Sequence, residues 1–186
     1  MAGLAIFRRL DIFMKLNNTT LQAALADTGE SVPFCGGSVI SNRHVLSAAH
    51  CTHNRNTGRV ESPAALEVLV GLHDIGENPP AYQRIPVASI LNHPKFDETL
   101  RNDISLLTLG TTIKFSDKVS PICLPAPPPN VFSLYPDYEG QVVTTTGWGA
   151  LAANGESPSV LQEVNITVTS NKDCRNAYAA THEIKP

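Results

Sequence analysis

From Leu21 onward, short apolar stretches alternate with turn-forming residues, and no long segment shows the repeat of an amphipathic helix. Short stretches bounded by glycine, proline, asparagine and serine are typical of β-strands. The pattern predicts strands at 21–26, 37–41, 44–48, 66–70, 83–92, 104–109, 141–147 and 161–169, and a short helix at 171–178. Regularly spaced short strands indicate an all-β protein, built as a sandwich or a barrel.

A proline-rich stretch that begins at Pro125 divides this pattern into two β-units. Proline cannot donate to a strand ladder and favours extended geometry, so the stretch predicts a linker. We expect a separate N-terminal segment at 1–20, a first unit at 21–124, a linker at 125–140 and a second unit at 141–186. The first unit has enough strands to close a small barrel, whereas the two strands of the second are marginal alone in water.

The charge balance excludes two classes of partner. The chain has 14 basic and 17 acidic residues and a net charge of −3, which leaves no cationic surplus for a phosphate backbone or anionic lipid. No apolar run approaches the ~20 residues that cross a bilayer, and Arg8, Arg9 and Asp11 interrupt the stretch that a signal peptide needs. We expect no nucleic-acid partner, no membrane partner and no clear signal peptide.

The cysteines suit either a secreted protein with disulfides or a cytosolic protein with scattered thiols, and the sequons do not decide between them. The cysteines allow three complete pairings and lie at Cys35, Cys51, Cys123 and Cys174. Cys35 and Cys51 flank two apolar segments separated by a turn, so a hairpin can bring them together, and closing that loop would stabilise the fold by about 3 kcal/mol. Sequons for N-linked glycosylation occur at Asn17, Asn18 and Asn165.

The first segment with a candidate chemical role surrounds His50. The motif CGGSVI at 35–40 is followed by VLSAAHC at 45–51. An imidazole that acts as a general base must be held in one orientation, and a strand end with small residues and a disulfide beside it provides that rigidity. A histidine that merely ends a strand is one alternative. Another alternative is a zinc site with the ligands His44, His50, Cys51 and His53. The spacing of these residues fits no standard zinc-ligand pattern.

A second candidate is Asp103, in the segment NDISLLTL at 102–109. A carboxylate that opens an apolar strand is partly buried, and it needs hydrogen-bond donors to offset the loss of water. A histidine N–H is one suitable donor. The alternative is an aspartate that caps a loop through backbone amides. Three competing acids also stay open, namely Asp74, Asp97 and Glu98.

A third segment, TTTGWG at 144–149, places the only tryptophan, Trp148, between two glycines at the end of a strand. Glycine at such a point suggests a bulge or a close backbone approach. We interpret Trp148 as a core residue without a direct catalytic role.

Together these segments resemble the chymotrypsin/trypsin family of serine peptidases. The motifs CGGSVI, SAAHC, NDISLL, CLP and TGWG stand in the family's order and with similar spacing. The resemblance implies a chymotrypsin-like double β-barrel, with the active site between the barrels, of which the first is complete here and the second only partly present. It also implies peptide-bond hydrolysis by a Ser-His-Asp triad.

The resemblance assigns a role to each candidate residue. His50 accepts the proton of the nucleophile and later returns it to the leaving amine, while Asp103 holds the imidazole in the required tautomer. Cys35 and Cys51 match the family's histidine-loop disulfide. Two further cysteines match ones whose partners lie outside this sequence, Cys123 and Cys174.

The chain also departs from the family pattern. The nucleophile of these enzymes lies in a Gly-Asp-Ser-Gly-Gly segment, which this sequence lacks. Ser157 has the surroundings most similar to that segment, but it precedes the region where the nucleophile belongs, and Pro158 cannot donate an N–H. Residues 1–20 contain no Ile-Val-Gly-Gly-like start. Leu72 stands where calcium-binding trypsins have a glutamate ligand, so we expect no calcium or other metal site.

Two functions follow from the resemblance. The first is a serine endopeptidase, secreted like its family, that needs no cofactor, acts on proteins or peptides and can meet protease inhibitors. The present chain is then a fragment without the nucleophile, and we expect it to be inactive. The alternative is a non-catalytic homologue that acts as a binding protein. The intact His50 and Asp103 favour the first function.

Overall fold

A computed structural model describes residues 22–54, 57–77, 82–97, 99–124, 138–152 and 155–179. The strands in these residues are β1 (Gln22–Asp27), β2 (Cys35–Val39), β3 (His44–Ser47), β4 (His53–Asn54), β5 (Arg59–Val60), β6 (Leu66–Val70), β7 (Gln83–Asn92), β8 (Ser105–Leu109), β9 (Val142–Gly147) and β10 (Gln162–Thr167). Turns of 3₁₀ helix lie at Ala49–Thr52 and Pro63–Ala65, and an α-helix, α1, spans Asn171–Ala179.

Six of these strands close into a barrel in the order β1-β2-β3-β8-β7-β6, and β1 pairs with β6 to complete the ring. All neighbouring strands in the barrel are antiparallel. Closure gives every strand two hydrogen-bonded neighbours and leaves no open edge. The expectation of an all-β protein whose first barrel is complete is therefore confirmed.

Aliphatic side chains that strand alternation turns inward fill the barrel, and the fully buried ones include Leu25, Val39, Val45, Leu107 and Leu109. Gly37 lies where β2 approaches β3 closely. A Cβ added there would be 2.8 Å from Val45 Cγ1 and 2.9 Å from the Leu46 carbonyl oxygen. The second glycine of CGGSVI is therefore required for β2 to pack against β3.

One predicted strand needs a correction. The sequence pattern predicts a strand at 37–41, whereas β2 spans Cys35–Val39. Cys35 already pairs with Leu25 of β1, and the amides of residues 40 and 41 both bond to the His44 carbonyl, which makes those two residues part of the turn. The other predicted strands agree with the structure to within one residue at the start and two at the end, and the short β4 and β5 were not predicted.

An ion pair outside the barrel links β6 to β7 and to the turn after β1. Arg84 donates through Nη2 to Glu67 over 2.5 Å and to the Glu30 carbonyl over 2.7 Å, and the Gly29 N–H donates to the same Glu67 oxygen over 3.2 Å. The hydrogen bond from Arg84, followed by that from Gly29, holds the pKa of Glu67 below its ordinary value. The hydrogen bond to Glu67 raises the pKa of Arg84.

Strands β9 and β10 form a separate antiparallel pair, which α1 follows along the chain. Val143 and Thr145 in β9 are buried, whereas Val142 and Val164 are 67% and 50% exposed. Among the described residues, the second unit is thus a partial barrel, as the sequence predicts.

The second unit contacts the first through the segment after β6. The Ile75 N–H donates to the Ser159 carbonyl over 2.9 Å, and the Leu161 N–H donates to the His73 carbonyl over 2.8 Å. Trp148 donates through Nε1 to the same His73 carbonyl over 3.2 Å. Its ring packs against an apolar cluster on the barrel that consists of Ala24, Ala26, Leu69 and Leu72. Trp148 is therefore a packing residue between the two units.

The proposed domain bounds stay predictions. Residues 1–20 and most of the linker at 125–140 lie outside the described residues, as do the sequons at Asn17 and Asn18. Within the part of the chain that the structure describes, no helix has the length and apolar character needed to cross a bilayer.

Candidate active site

His50 lies in the 3₁₀ turn Ala49–Thr52, directly after β3. Ala48 and Ala49 ahead of it are buried, and their small side chains let the turn pack closely against the barrel. The sequence pattern predicts a strand end at this point, whereas the structure turns the chain into a helical conformation before the imidazole. That turn brings the backbone N–H of His50 and its ring to the same side.

The disulfide predicted beside the histidine is present. Cys35 and Cys51 are bonded, with their Cα atoms 6.2 Å apart, a usual separation for a disulfide. The bond joins the first residue of β2 to the residue that follows His50. The pairing that the family resemblance implies is therefore confirmed, and it braces the turn that carries the imidazole.

Asp103 directly precedes β8 and follows a residue with left-handed backbone. Asn102 has φ of 55°, and its Nδ2 donates to the Lys95 carbonyl over 2.8 Å. Asparagine is one of the few residues besides glycine that tolerate this conformation. The Ile104 N–H then bonds to the Asn102 carbonyl over 2.8 Å, which closes a tight turn around Asp103.

The carboxylate of Asp103 contacts His50 at two points. Its Oδ2 lies 2.7 Å from His50 Nδ1, and its Oδ1 accepts the backbone N–H of His50 over 2.8 Å. The side chains of His50 and Asp103 are only 13% and 11% exposed. Two hydrogen bonds from one residue to one carboxylate fix both the position and the orientation of the ring. We call this pair the His50–Asp103 dyad.

This contact determines which ring nitrogen of a neutral His50 carries the proton. An ionised carboxylate only accepts hydrogen bonds, so Nδ1 must donate, and the lone pair then lies on Nε2. Nε2 is 3.5 Å from Sγ of Cys51, a weak acceptor already engaged in the disulfide. The dyad therefore presents a basic nitrogen in a fixed orientation, which is the geometry of a general base.

A buried polar cluster that the sequence does not reveal supports both segments of the dyad. Thr52 is fully buried and ends the 3₁₀ turn, and its Oγ1 lies 2.7 Å from Asn92 Oδ1 and 3.4 Å from Ser105 Oγ. Asn92 ends β7, and Ser105 opens β8 two residues after Asp103. Asparagine, serine and threonine near strand ends usually indicate turns, so no sequence signal marks this cluster.

The competing acids in the described residues cap loops elsewhere. Asp74 Oδ1 accepts the Gly76 N–H over 2.9 Å, and Asp97 accepts the backbone N–H of Thr99 over 2.8 Å together with its hydroxyl. The hydroxyl of Thr99 is the main reason that the pKa of Asp97 lies below its ordinary value. Glu98 lies outside the described residues. Among the acids that the structure describes, Asp103 is the one that bonds to His50.

The zinc alternative does not fit the structure. The ring of His44 bonds through Nδ1 to Ser41 Oγ over 2.8 Å, and the ring of His53 packs edge-on against Phe96 with centroids 5.5 Å apart. The group that could hold a metal in the described residues consists of Cys35, His50 and Cys51. Both of its sulfurs are in the disulfide, so they offer no thiolate to a metal ion.

A cavity of about 400 Å³ lies between the two units, next to the disulfide. Its lining includes Phe34, Cys35, Gly36, Trp148, Ser157 and Pro158. Ser157 reaches the wall of this cavity but makes no hydrogen bond to His50 in the described part of the chain. The two units therefore line an open space between them. Among the described residues, the serines in its lining form no bond to the dyad.

Sequence similarity to known proteins covers most of this chain. The model that describes the trypsin family matches residues 14–185. The chain belongs to the trypsin family. Trypsin-1 of Astacus astacus is 35% identical over 157 residues, which make up 82% of this chain and 60% of that protein. Trypsin V-A of Rattus norvegicus is 39% identical over 146 residues, which make up 78% of this chain and 52% of that protein.

The proclotting enzyme of Tachypleus tridentatus is 36% identical over 150 residues, which make up 77% of this chain and 38% of that protein. The chain spans less than two thirds of the length of each of these relatives. The resemblance to the chymotrypsin/trypsin family is therefore confirmed.

Leu72 is the residue from which the family resemblance led us to expect no calcium site. Leu72 is 2% exposed and belongs to the apolar cluster with Ala24, Ala26 and Leu69. Its side chain carries no oxygen that calcium could bind, and its burial stabilises the contact with Trp148. Leu72 is therefore a packing residue, and the absence of a calcium site stays a prediction.

Proposed function

We propose that this chain provides the histidine and the aspartate of a serine endopeptidase of the trypsin type. The observation that carries the proposal is the two-point contact between Asp103 and His50, with Nδ1 to Oδ2 at 2.7 Å and the backbone N–H to Oδ1 at 2.8 Å. A structural histidine needs one partner, whereas a general base must also keep a free nitrogen in a fixed direction. The dyad meets both requirements.

In this mechanism His50 transfers a proton twice. Its Nε2 accepts the hydroxyl proton of the serine as the serine oxygen bonds to the substrate carbonyl carbon, and it then returns that proton to the leaving amine. Asp103 accepts the hydrogen bond from Nδ1–H throughout and stabilises the imidazolium that forms between the two transfers. The substrates are proteins or peptides, and protease inhibitors are possible partners.

We further propose that the 186-residue chain, taken alone, does not hydrolyse peptide bonds. It contains no Gly-Asp-Ser-Gly-Gly segment to supply a nucleophile and an oxyanion hole. An acyl-enzyme then has no serine on which to form. A fluorophosphonate, which reacts with activated serines, should leave the purified chain unlabelled, Ser157 included.

We also propose an extracellular location. The Cys35–Cys51 disulfide favours an oxidising compartment. The names of two relatives, a proclotting enzyme and a trypsin, fit the same setting.

The experiment that tests the catalytic proposal joins the two parts of a protease. Residues 1–20 are replaced by a cleavable propeptide ending before an Ile-Val-Gly-Gly-like start, and the remainder of Trypsin-1 of Astacus astacus beyond the matched region is fused after Pro186. We expect fluorophosphonate labelling and peptide hydrolysis, and a loss of several orders of magnitude in His50→Ala. His44→Ala is the matched control, because among the described residues the ring of that histidine bonds to Ser41 and not to Asp103.

The outcome separates the proposal from its alternative. A chimera that forms the disulfide and binds a trypsin inhibitor, yet neither reacts with the probe nor hydrolyses peptides, contradicts the catalytic role. The non-catalytic binding homologue then takes its place. Equal activity in His50→Ala and the unchanged chimera contradicts the role of the dyad itself.

A further inference from the structure

The sequon in β10 has a chemical environment that the sequence alone does not show. Asn165, Ile166 and Thr167 form an Asn-x-Thr sequon whose middle residue is not proline, as N-linked glycosylation requires. Such triplets also arise by chance, so the sequon needs structural support. A glycan can be carried only where the asparagine faces solvent and the folded chain leaves room for a bulky group.

Asn165 meets the first requirement. Its side chain is exposed, as is that of Thr167. Thr144 donates its hydroxyl to Asn165 Oδ1 over 2.7 Å, which orients the amide. The Nδ2 of Asn165, the atom that a sugar would join, makes no hydrogen bond to any residue that the structure describes. The amide is therefore held at its oxygen and open at its nitrogen.

The register of the strand pair shows which face Asn165 occupies. Asn165 lies opposite Thr144, and Thr167 lies opposite Val142, so these residues share one face of the pair. Their neighbours Val143 and Thr145 are 7% and 8% exposed and lie on the opposite face, whose β9 part is the buried side of the pair. Val164 of β10 pairs with Thr145 on that face and is 50% exposed. Val142 on the outer face is 67% exposed. A glycan at Asn165 therefore points away from the buried side.

The contact with the first unit leaves this part of the outer face open. Thr146 lies on the same face as Asn165, and its hydroxyl bonds to Gln22 of β1 over 2.5 Å. Thr146 is opposite Glu163, at the other end of the strand pair from Thr167. The region from Asn165 towards Thr167 is thus clear of the barrel contact.

We infer that Asn165 is a site of N-linked glycosylation, with a lipid pyrophosphate-linked oligosaccharide as the donor. The Nδ2 of Asn165 bonds to the anomeric carbon of the first sugar as the bond from that carbon to the pyrophosphate oxygen breaks. Nδ2 loses one proton, and the lipid pyrophosphate leaves. The inference rests on the proposed extracellular location and not on the proposed catalysis. It also implies that any segment that packs on β9 and β10 does so on the other face, which carries Val143 and Thr145.

The test uses the full chain behind a heterologous secretion signal in animal cells. Peptide mass spectrometry should find glycan on Asn165, and treatment with an amidase that releases N-glycans should convert that residue to aspartate. Asn165→Gln and Thr167→Ala should each lose the glycan. Thr167→Ser is the matched control and should keep it, because serine also supplies the sequon hydroxyl.

If the chain is not secreted, translation into microsomes tests the same inference. The same chain, translated into microsomes, should carry one more amidase-sensitive glycan than Thr167→Ala and the same number as Thr167→Ser, whatever the state of the other sequons. An Asn-Gly-Thr tag after Pro186 reports entry into the microsomes. Modification of that tag with no modification at Asn165 overturns the inference. Because none of these measurements needs peptidase activity, failure of the catalytic proposal leaves their outcome unaffected.

Discussion

The closed barrel and the β9–β10 pair are built from similar short strands, but they differ in how many neighbours each strand has and in how far its side chains are buried. In the barrel every strand has two neighbours, and side chains such as Leu107 are fully buried. In the pair each strand has one neighbour among the described residues, and Val142 and Val164 are at least half exposed. Strand pairing alone does not bury a side chain; closure of the sheet around a common interior does.

This difference bears on the candidate site, because both members of the dyad belong to the closed barrel. His50 follows β3 and Asp103 precedes β8, and these two strands are neighbours in the ring. The disulfide and the Thr52 cluster brace the same two segments. The geometry of the dyad is therefore set within the first unit, whatever covers the second.

The largest expected difference between the two regions is in hydrogen exchange. Amides in β3 and β8 should exchange only through global unfolding, with an opening free energy of about 5 kcal/mol or more. Amides in β9 and β10 should exchange through local separation of two strands, several kcal/mol more easily. Mass spectrometry of exchanging peptides measures both at once. Equal protection in the two regions contradicts the comparison.

Matched truncations sharpen the same contrast. Leu107→Ala removes a fully buried side chain from the barrel and should reduce the free energy of unfolding by about 2 to 5 kcal/mol. Val164→Ala, at a side chain that is 50% exposed, should change it by about 0.5 kcal/mol. Denaturant titration monitors both variants. A loss at Val164 as large as that at Leu107 shows that the second unit has a core of its own.

Removal of the disulfide tests how far the barrel depends on its brace. The bond joins cysteines 16 positions apart, and replacing both with alanine should cost about 3 kcal/mol, since the unfolded chain loses a loop constraint. The control replaces the free Cys123, which is exposed, with alanine and should have almost no effect. Urea unfolding compares the three proteins. No loss on removing the disulfide shows that the barrel alone holds the turn at His50.

Features of this structure that depend on residues close together in the sequence could be predicted, whereas contacts between residues far apart in the sequence could not. The strand at 66–70 and the long strand at 83–92 follow from local apolar patterns and match the structure. The choice of Asp103 over Asp74 and Asp97 did not follow, because it depends on the pairing of β3 with β8 across the barrel. The sequence left those acids open until the family resemblance was considered.

The polar support of the dyad could not be predicted at all. The contacts of Thr52 with Asn92 and Ser105 join residues 40 and 53 positions apart. Such contacts depend on how strand ends meet at the end of a barrel, which no spacing rule captures. The left-handed turn at Asn102 is different, because an asparagine before an aspartate is compatible with it and offers a usable signal.

The smallest expected effect concerns the ion pair outside the barrel. The pKa of Glu67 is lower in the folded chain than in the unfolded one, so Glu67 stabilises the fold above its unfolded pKa. This contribution is lost as pH falls through the lowered pKa of the folded state. Glu67→Gln should therefore flatten the acid side of the stability curve by about 1 kcal/mol or less. Glu77→Gln, at an exposed side chain, is the control. A curve that Glu67→Gln leaves unchanged in acid contradicts this account.

The central claim is that Asp103 holds His50 as a general base with its free nitrogen at Nε2. Nuclear magnetic resonance of the ¹⁵N-labelled chain, through two-bond couplings in the imidazole ring, reads this directly under conditions where the ring is neutral. We expect the Nδ1–H tautomer in the unchanged chain. We expect a shift towards the Nε2–H tautomer in Asp103→Asn, whose amide can donate to Nδ1. A ring that carries its proton on Nε2 in the unchanged chain, or whose tautomer does not respond to Asp103→Asn, contradicts the claim.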